Sequence, residues 1–149
     1  MSISTVDPST LYVNASWLPP KVNWTVDDYF NATDYNRIIG NLNYLKFLSD
    51  QLFETIDILS MGEEKTYSSL IYAKDINAIE YNLEIININT YVLNIGKKTL
   101  YKNNGKTPLY TEFNRIESAM LKLYTMMQAH KNALPKLAFT LNGQKGFKV

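Results

Sequence analysis

The sequence predicts a mainly α-helical fold: a three-helix antiparallel bundle with an extended N-terminal arm and a short C-terminal β-hairpin. Three observations carry this prediction. A short phrase is written three times, as TDYNRIIGNL from Thr33, KDINAIEYNL from Lys74 and TEFNRIESAM from Thr111. Each copy carries an apolar stripe at helical spacing. Prolines and Asn-Gly pairs interrupt the pattern outside and between the copies.

The first 30 residues form the arm. Pro8, Pro19 and Pro20 fall here, and the stretch SWLPPKVNW is expected to be extended. Consecutive prolines favour polyproline II, and a residue that precedes proline avoids the helical region. Both tryptophans of the chain, Trp17 and Trp24, lie in this arm. Two large aromatics on an extended segment either fold back on the bundle or dock into a neighbouring subunit. The arm side chains that the reading assigns to interaction are Trp17, Pro19, Pro20, Trp24, Tyr29 and Phe30.

Residues 31–134 form the bundle, with helices expected over 32–60, 70–95 and 108–133. Aligned on Asn36, Asn77 and Asn114, the copies place apolar residues at i, i+3, i+7 and i+10: Tyr35, Ile38, Leu42, Leu45; Ile76, Ile79, Leu83, Ile86; Phe113, Ile116, Met120, Leu123. Such spacing makes one stripe of a helix, close to a heptad seam. Asn31 is placed to cap the first helix, with Asp34 three residues on. Gly62 and Gly96 are placed to end the first two helices, and Thr107-Pro108 to start the third. Helices of about 25 residues would be ~38 Å long. The linker GEEKTYSS and the turn at Asn103-Asn104-Gly105 join them in an up-down-up order.

The structural repeat comprises Asn36, Arg37 and Ile38, Asn77 and Ile79, and Asn114, Arg115 and Ile116. Each Asn lies beside the apolar stripe rather than on it. Asn is a mediocre helix former, so a matched Asn calls for a task. The expected task is to tie down a neighbouring loop or helix end by hydrogen bonds. The last segment, 135–149, begins at Pro135 and reads as strand, Asn142-Gly143 turn, strand. An isolated hairpin is marginal, so Phe139 and Phe147 are expected to meet a partner.

Composition narrows the chemistry. The chain has 149 residues and no cysteine, so disulfide, thiol and thiolate–metal chemistry are excluded. His130 is the single histidine, which rules out a His–His metal pair. Its place at the end of the third helix suits contact with the last carbonyls. No serine sits in a G-x-S-x-G elbow. The acidic pairs Asp27-Asp28 and Glu63-Glu64 flank helices and are read as helix-end charges. No catalytic, cofactor or metal residue is assigned, and the chain is read as a non-enzyme. The N-terminus carries no signal-peptide pattern, and no apolar run is long enough for a membrane helix. The Asn-x-Ser/Thr sites at Asn14, Asn23 and Asn31 therefore carry little meaning as glycosylation acceptors.

The net charge of +1 hides a division. Residues 1–96 hold five basic and twelve acidic side chains, whereas residues 97–149 hold ten and two. A dipolar chain of this kind docks on copies of itself, presents each end to a different partner, or simply carries a biased solvated surface. Lys97, Lys98, Lys102 and Lys106 surround Tyr101, but nucleic-acid binding is disfavoured in a nearly neutral chain.

The stretch PPKVNWTVDDYFNATDYNRIIGNLNYLKFL, Pro19 to Leu48, resembles a segment of tail-fibre, baseplate and related virion proteins of phages that infect Firmicutes. The matching positions are Trp24, Thr25, Asp28-Tyr29-Phe30-Asn31, Asp34-Tyr35-Asn36-Arg37-Ile38 and Asn41 to Leu45. The resemblance covers about thirty of the 149 residues. It implies a virion structural protein at the tail or baseplate, present in several copies or as a homo-oligomer. Such a protein is assembled in the host cytoplasm and contacts other virion proteins. A head-associated or connector protein of the same particle is the alternative. The chain departs from such fibres in stopping after two further helices, with no lectin-like or hydrolase domain in view.

Overall fold

The structure is a computed structural model that describes residues 17–142, with side-chain surroundings for 17–134. It contains three packed α-helices: α1 (Ala32–Leu52), α2 (Ala73–Ile88) and α3 (Tyr110–Asn142). No β-strand is present among the described residues. All twelve stripe residues are buried, the most exposed being Phe113 at 6%. Met127 extends the stripe on α3, and Trp24 of the arm joins the same core.

The direction of the helices differs from the sequence expectation: the bundle is parallel, not antiparallel. Arg37, near the start of α1, bonds Glu117 near the start of α3, and Arg115 of α3 bonds Glu80 of α2. The opposite ends also coincide. Phe53 and Tyr91, which follow α1 and α2, form one aromatic cluster with His130, which lies inside α3 rather than at its end as the sequence suggests, with centroids 5.3–6.2 Å apart. Parallel neighbours require the chain to return along the bundle after every helix. A 21-residue helix is about 32 Å long, a span that about ten extended residues cover. Residues 53–72 and 89–109 are therefore long enough to act as returns.

The helix bounds change for the same reason. The first helix stops at Leu52 rather than near residue 60. Phe53 is extended (φ −132°, ψ −169°), and Asp50 Oδ1 accepts the Ile56 N–H at 3.3 Å. The apolar residues Ile56, Ile58 and Leu59 belong to the return. The second helix covers Ala73–Ile88 rather than 70–95. Asn87 turns its side chain onto Leu93, accepting its N–H (2.9 Å) and donating to its carbonyl (2.8 Å), and this closes the helix. At the start of α1, Asn31 Oδ1 accepts the Asp34 N–H and Asp34 Oδ2 accepts the Asn31 N–H, each at 3.1 Å, which completes a capping box. The third helix continues past Pro135, where the sequence predicts a stop. A proline removes one backbone bond and favours a bend without forcing an end. The hairpin expected around Asn142-Gly143 extends beyond the described residues, as do residues 1–16 of the arm.

Candidate functional site

Asn36, Asn77 and Asn114 make the same pair of hydrogen bonds, each to one residue of an extended segment. Asn36 Oδ1 accepts the Lys65 N–H and its Nδ2 donates to the Lys65 carbonyl, both at 2.8 Å. Asn77 holds Tyr101 with the same two distances. Asn114 holds Trp24, accepting its N–H at 2.7 Å and donating to its carbonyl at 3.0 Å. A side-chain amide offers the same donor and acceptor as a peptide group. It therefore satisfies both backbone groups of a residue as a neighbouring strand would, with no sheet.

The pattern closes on itself. Helix α1 clamps the segment before α2, α2 clamps the segment before α3, and α3 clamps the segment before α1. A second tier lies five residues further along two of the helices. Asn41 takes the Leu18 N–H and carbonyl (2.8 Å each), and Asn82 takes those of Leu59 (2.8 and 3.0 Å). The third copy has Ala119 at this position, and the Ile95 carbonyl instead accepts from Arg115 Nη1 at 3.2 Å. Each clamped residue is followed by the same turn, closed by Asp28 N–H to Thr25, Ser69 N–H to Thr66 and Gly105 N–H to Lys102 carbonyls. The molecule is thus a pseudo-three-fold arrangement of helix-plus-segment units.

Ion pairs follow the same cycle. Arg37 makes a forked contact with Glu117 (Nε–Oε1 2.8 Å, Nη2–Oε2 2.9 Å) and also reaches Asp34 at 2.9 Å. Arg115 bonds Glu80 and, at 2.7 Å, Glu112. The equivalent third pair is replaced by Ala78 and Ile39. Burial opposes the charge on both guanidiniums, but their carboxylate partners outweigh it and push their pKa values up. Glu80 is shifted upward by burial, against the pull of Arg115. Gly96 (φ +78°) passes so close to this pair that a Cβ there would meet Arg115 Cδ at 2.6 Å.

The arm lies in the groove between α3 and α1. The Trp24 ring is 3% exposed, and its Nε1 donates to Glu117 Oε2 at 2.6 Å. The Lys21 N–H donates to Glu117 Oε1 at 3.0 Å, and its ammonium lies 4.3 Å from the Trp24 ring centroid. Trp17 stacks on Tyr124 of α3, with centroids 3.9 Å apart. Phe30 stacks on Phe113 at 4.3 Å. Tyr29 is 88% exposed, Pro19 is exposed and Pro20 half-buried. The structure therefore gathers Trp17, Trp24 and Phe30 onto the bundle and leaves Tyr29 outside. The side chains of Phe139 and Phe147 lie outside the described ones. Asp28 closes the first turn by accepting from the Thr25 N–H (2.7 Å), and this bond, with Lys21, lowers its pKa. His130 Nδ1 lies 3.0 Å from the Tyr91 hydroxyl.

Glu117, Glu80 and Asn82 are not among the residues singled out from the sequence, and Asn41 appears there only as a position of the resemblance. Their signal is positional: Glu80 and Glu117 follow the repeated Asn by three residues, and Asn41 and Asn82 follow it by five. Among the described residues, no group of three His, Asp or Glu side chains is placed to hold a metal, and no helix is long and apolar enough to cross a membrane. No protein-family model, curated protein or solved structure matches the chain.

Proposed function

We propose that this chain is a structural component of a phage particle, at the tail or baseplate, that joins neighbouring virion proteins through its two ends. One observation carries the reading. The stretch that resembles virion proteins is used, residue by residue, to build. Trp24 is the clamped residue, Thr25 and Asp28 form the turn, Asn31 and Asp34 cap the helix, and Arg37 and Asn41 fasten α1 to α3 and to the arm. The shared phrase is therefore a recipe for a helix with a segment bound alongside it, which is the work of a scaffold. The division between an acidic first part and a basic last part supports contacts with different neighbours at the two ends.

The test is mass spectrometry of purified particles, followed by localisation of the chain with a labelled antibody. A fixed copy number with label at the tail tip is the expected result. Label at the head–tail junction would favour a connector instead. Absence from purified particles would defeat the reading altogether.

A further inference from the structure

We propose that the arm groove between α1 and α3 takes the arm of a second copy of this chain, so that copies join by exchanging residues 17–24. The proposal deepens the assembly reading and rests on it for the setting in which copies meet.

The structure already shows what fits the groove. Two clamps, Asn41 on Leu18 and Asn114 on Trp24, bind backbone groups of the arm. Glu117 adds the Trp24 indole and the Lys21 N–H, and Tyr124 adds the stack with Trp17. Every one of these contacts forms equally well with the arm of another copy, since the two arms are chemically identical. The other two grooves are different. They are filled by residues 53–72 and 89–109, which are joined to helices at both ends and cannot leave without opening the bundle. Among the described residues, the arm is joined to a helix only at its Ala32 end.

Residues 25–31 form the hinge. Thr25, Val26, Asp27, Tyr29 and Asn31 are exposed, and Val26 and Tyr29 are 78% and 88% exposed. The turn at Thr25–Asp28 folds the arm back onto its own groove. Straightening that turn carries the arm outward, and a second copy can receive it. The intramolecular arm competes at an effective concentration on the order of millimolar. Exchange is therefore suppressed in dilute solution and favoured where copies are held side by side.

Two measurements on the full chain test this. The first deletes Val26, Asp27 and Asp28, which removes the turn that folds the arm back onto its own groove. Size-exclusion chromatography with light scattering should show a dimer or larger species with the helical circular dichroism retained. A folded variant that stays monomeric at high concentration overturns the proposal. The second adds a fluorescent peptide of residues 17–31 to the intact protein and follows anisotropy. Saturable binding is expected, weakened at least tenfold in a Trp24→Ala peptide. Should the deletion unfold the protein, the peptide decides alone: no binding at millimolar concentration overturns exchange. Both measurements use purified protein, so their failure is separable from absence of the chain from particles.

Discussion

Replacing Asn114 with Ala removes the clamp on Trp24 and leaves the rest of α3 untouched. Two hydrogen bonds are lost, of 2.7 and 3.0 Å. Trp24 is 3% exposed, so its freed N–H and carbonyl regain water only if the arm lifts out of the groove. Each neutral bond contributes ~1 kcal/mol net, and a stranded buried group adds a penalty of ~1–3 kcal/mol. The expected cost is therefore about 2–4 kcal/mol, a large share of the ~5–15 kcal/mol that holds a domain folded. Asn89 provides the control. It is exposed, and its Nδ2 donates only to the Ile85 carbonyl of its own helix. Asn89→Ala should change stability by no more than ~0.5 kcal/mol. Urea unfolding followed by circular dichroism gives both values from the midpoint and slope. Asn114→Asp keeps an acceptor for the Trp24 N–H but sets a carboxylate oxygen against its carbonyl, so it should restore less than half of the loss. An Asn114→Ala protein as stable as the Asn89→Ala control would refute the idea that the repeated Asn holds the extended segments.

The ion-pair cycle predicts a compensated double substitution. Arg115→Ala alone strands the buried Glu80 and should cost about 3–5 kcal/mol, whereas adding Glu80→Ile recreates the Ala78/Ile39 arrangement and should recover a large part of that. A double variant no better than the single would show that the third pair is not an equivalent solution. In the core, Leu83 is fully buried, and Leu83→Ala should lower stability by about 2–5 kcal/mol in the same urea assay. At alkaline pH, Tyr35 is pushed from 10 to about 12, first by burial and then by Asp75. The folded state holds this proton more tightly than the unfolded state, so its contribution is full below pH 10 and is lost as pH rises through about 12. The loss is about 2–3 kcal/mol for a shift of this size. Tyr35→Phe should flatten that part of the stability profile, measured by urea unfolding on both sides of the window.

Much of this architecture is written locally. The stripe from Tyr35 to Leu45, and its copies from Ile76 and Phe113, is determined by residue spacing, because burying one face of a helix needs apolar residues at that spacing wherever the helix packs. The Asn31–Asp34 capping box is local too, since both partners lie within one turn. The repeated Asn can be seen in the sequence because three copies share it, and its duty follows from the poor fit of Asn to a helix interior.

Direction is not written locally. An apolar stripe is equally satisfied by parallel and antiparallel neighbours, so the stripe alone leaves the choice open. The parallel arrangement is decided by contacts between residues far apart in sequence, Arg37 with Glu117 and Arg115 with Glu80. The same holds for the ends of the helices. Ile56, Ile58 and Leu59 continue an apolar pattern that suits a helix, but Asn82 holds Leu59 in an extended return from another element. Trp24 is the clearest case. Its sequence neighbours determine that it cannot sit in a helix with Pro19-Pro20, but whether it turns inward or outward depends on partners 90 and 93 residues away, Asn114 and Glu117. Local residues set which segments are helical or extended. The direction of each segment, and the groove it enters, is set by long-range hydrogen bonds that exist only once the three units have closed around one another.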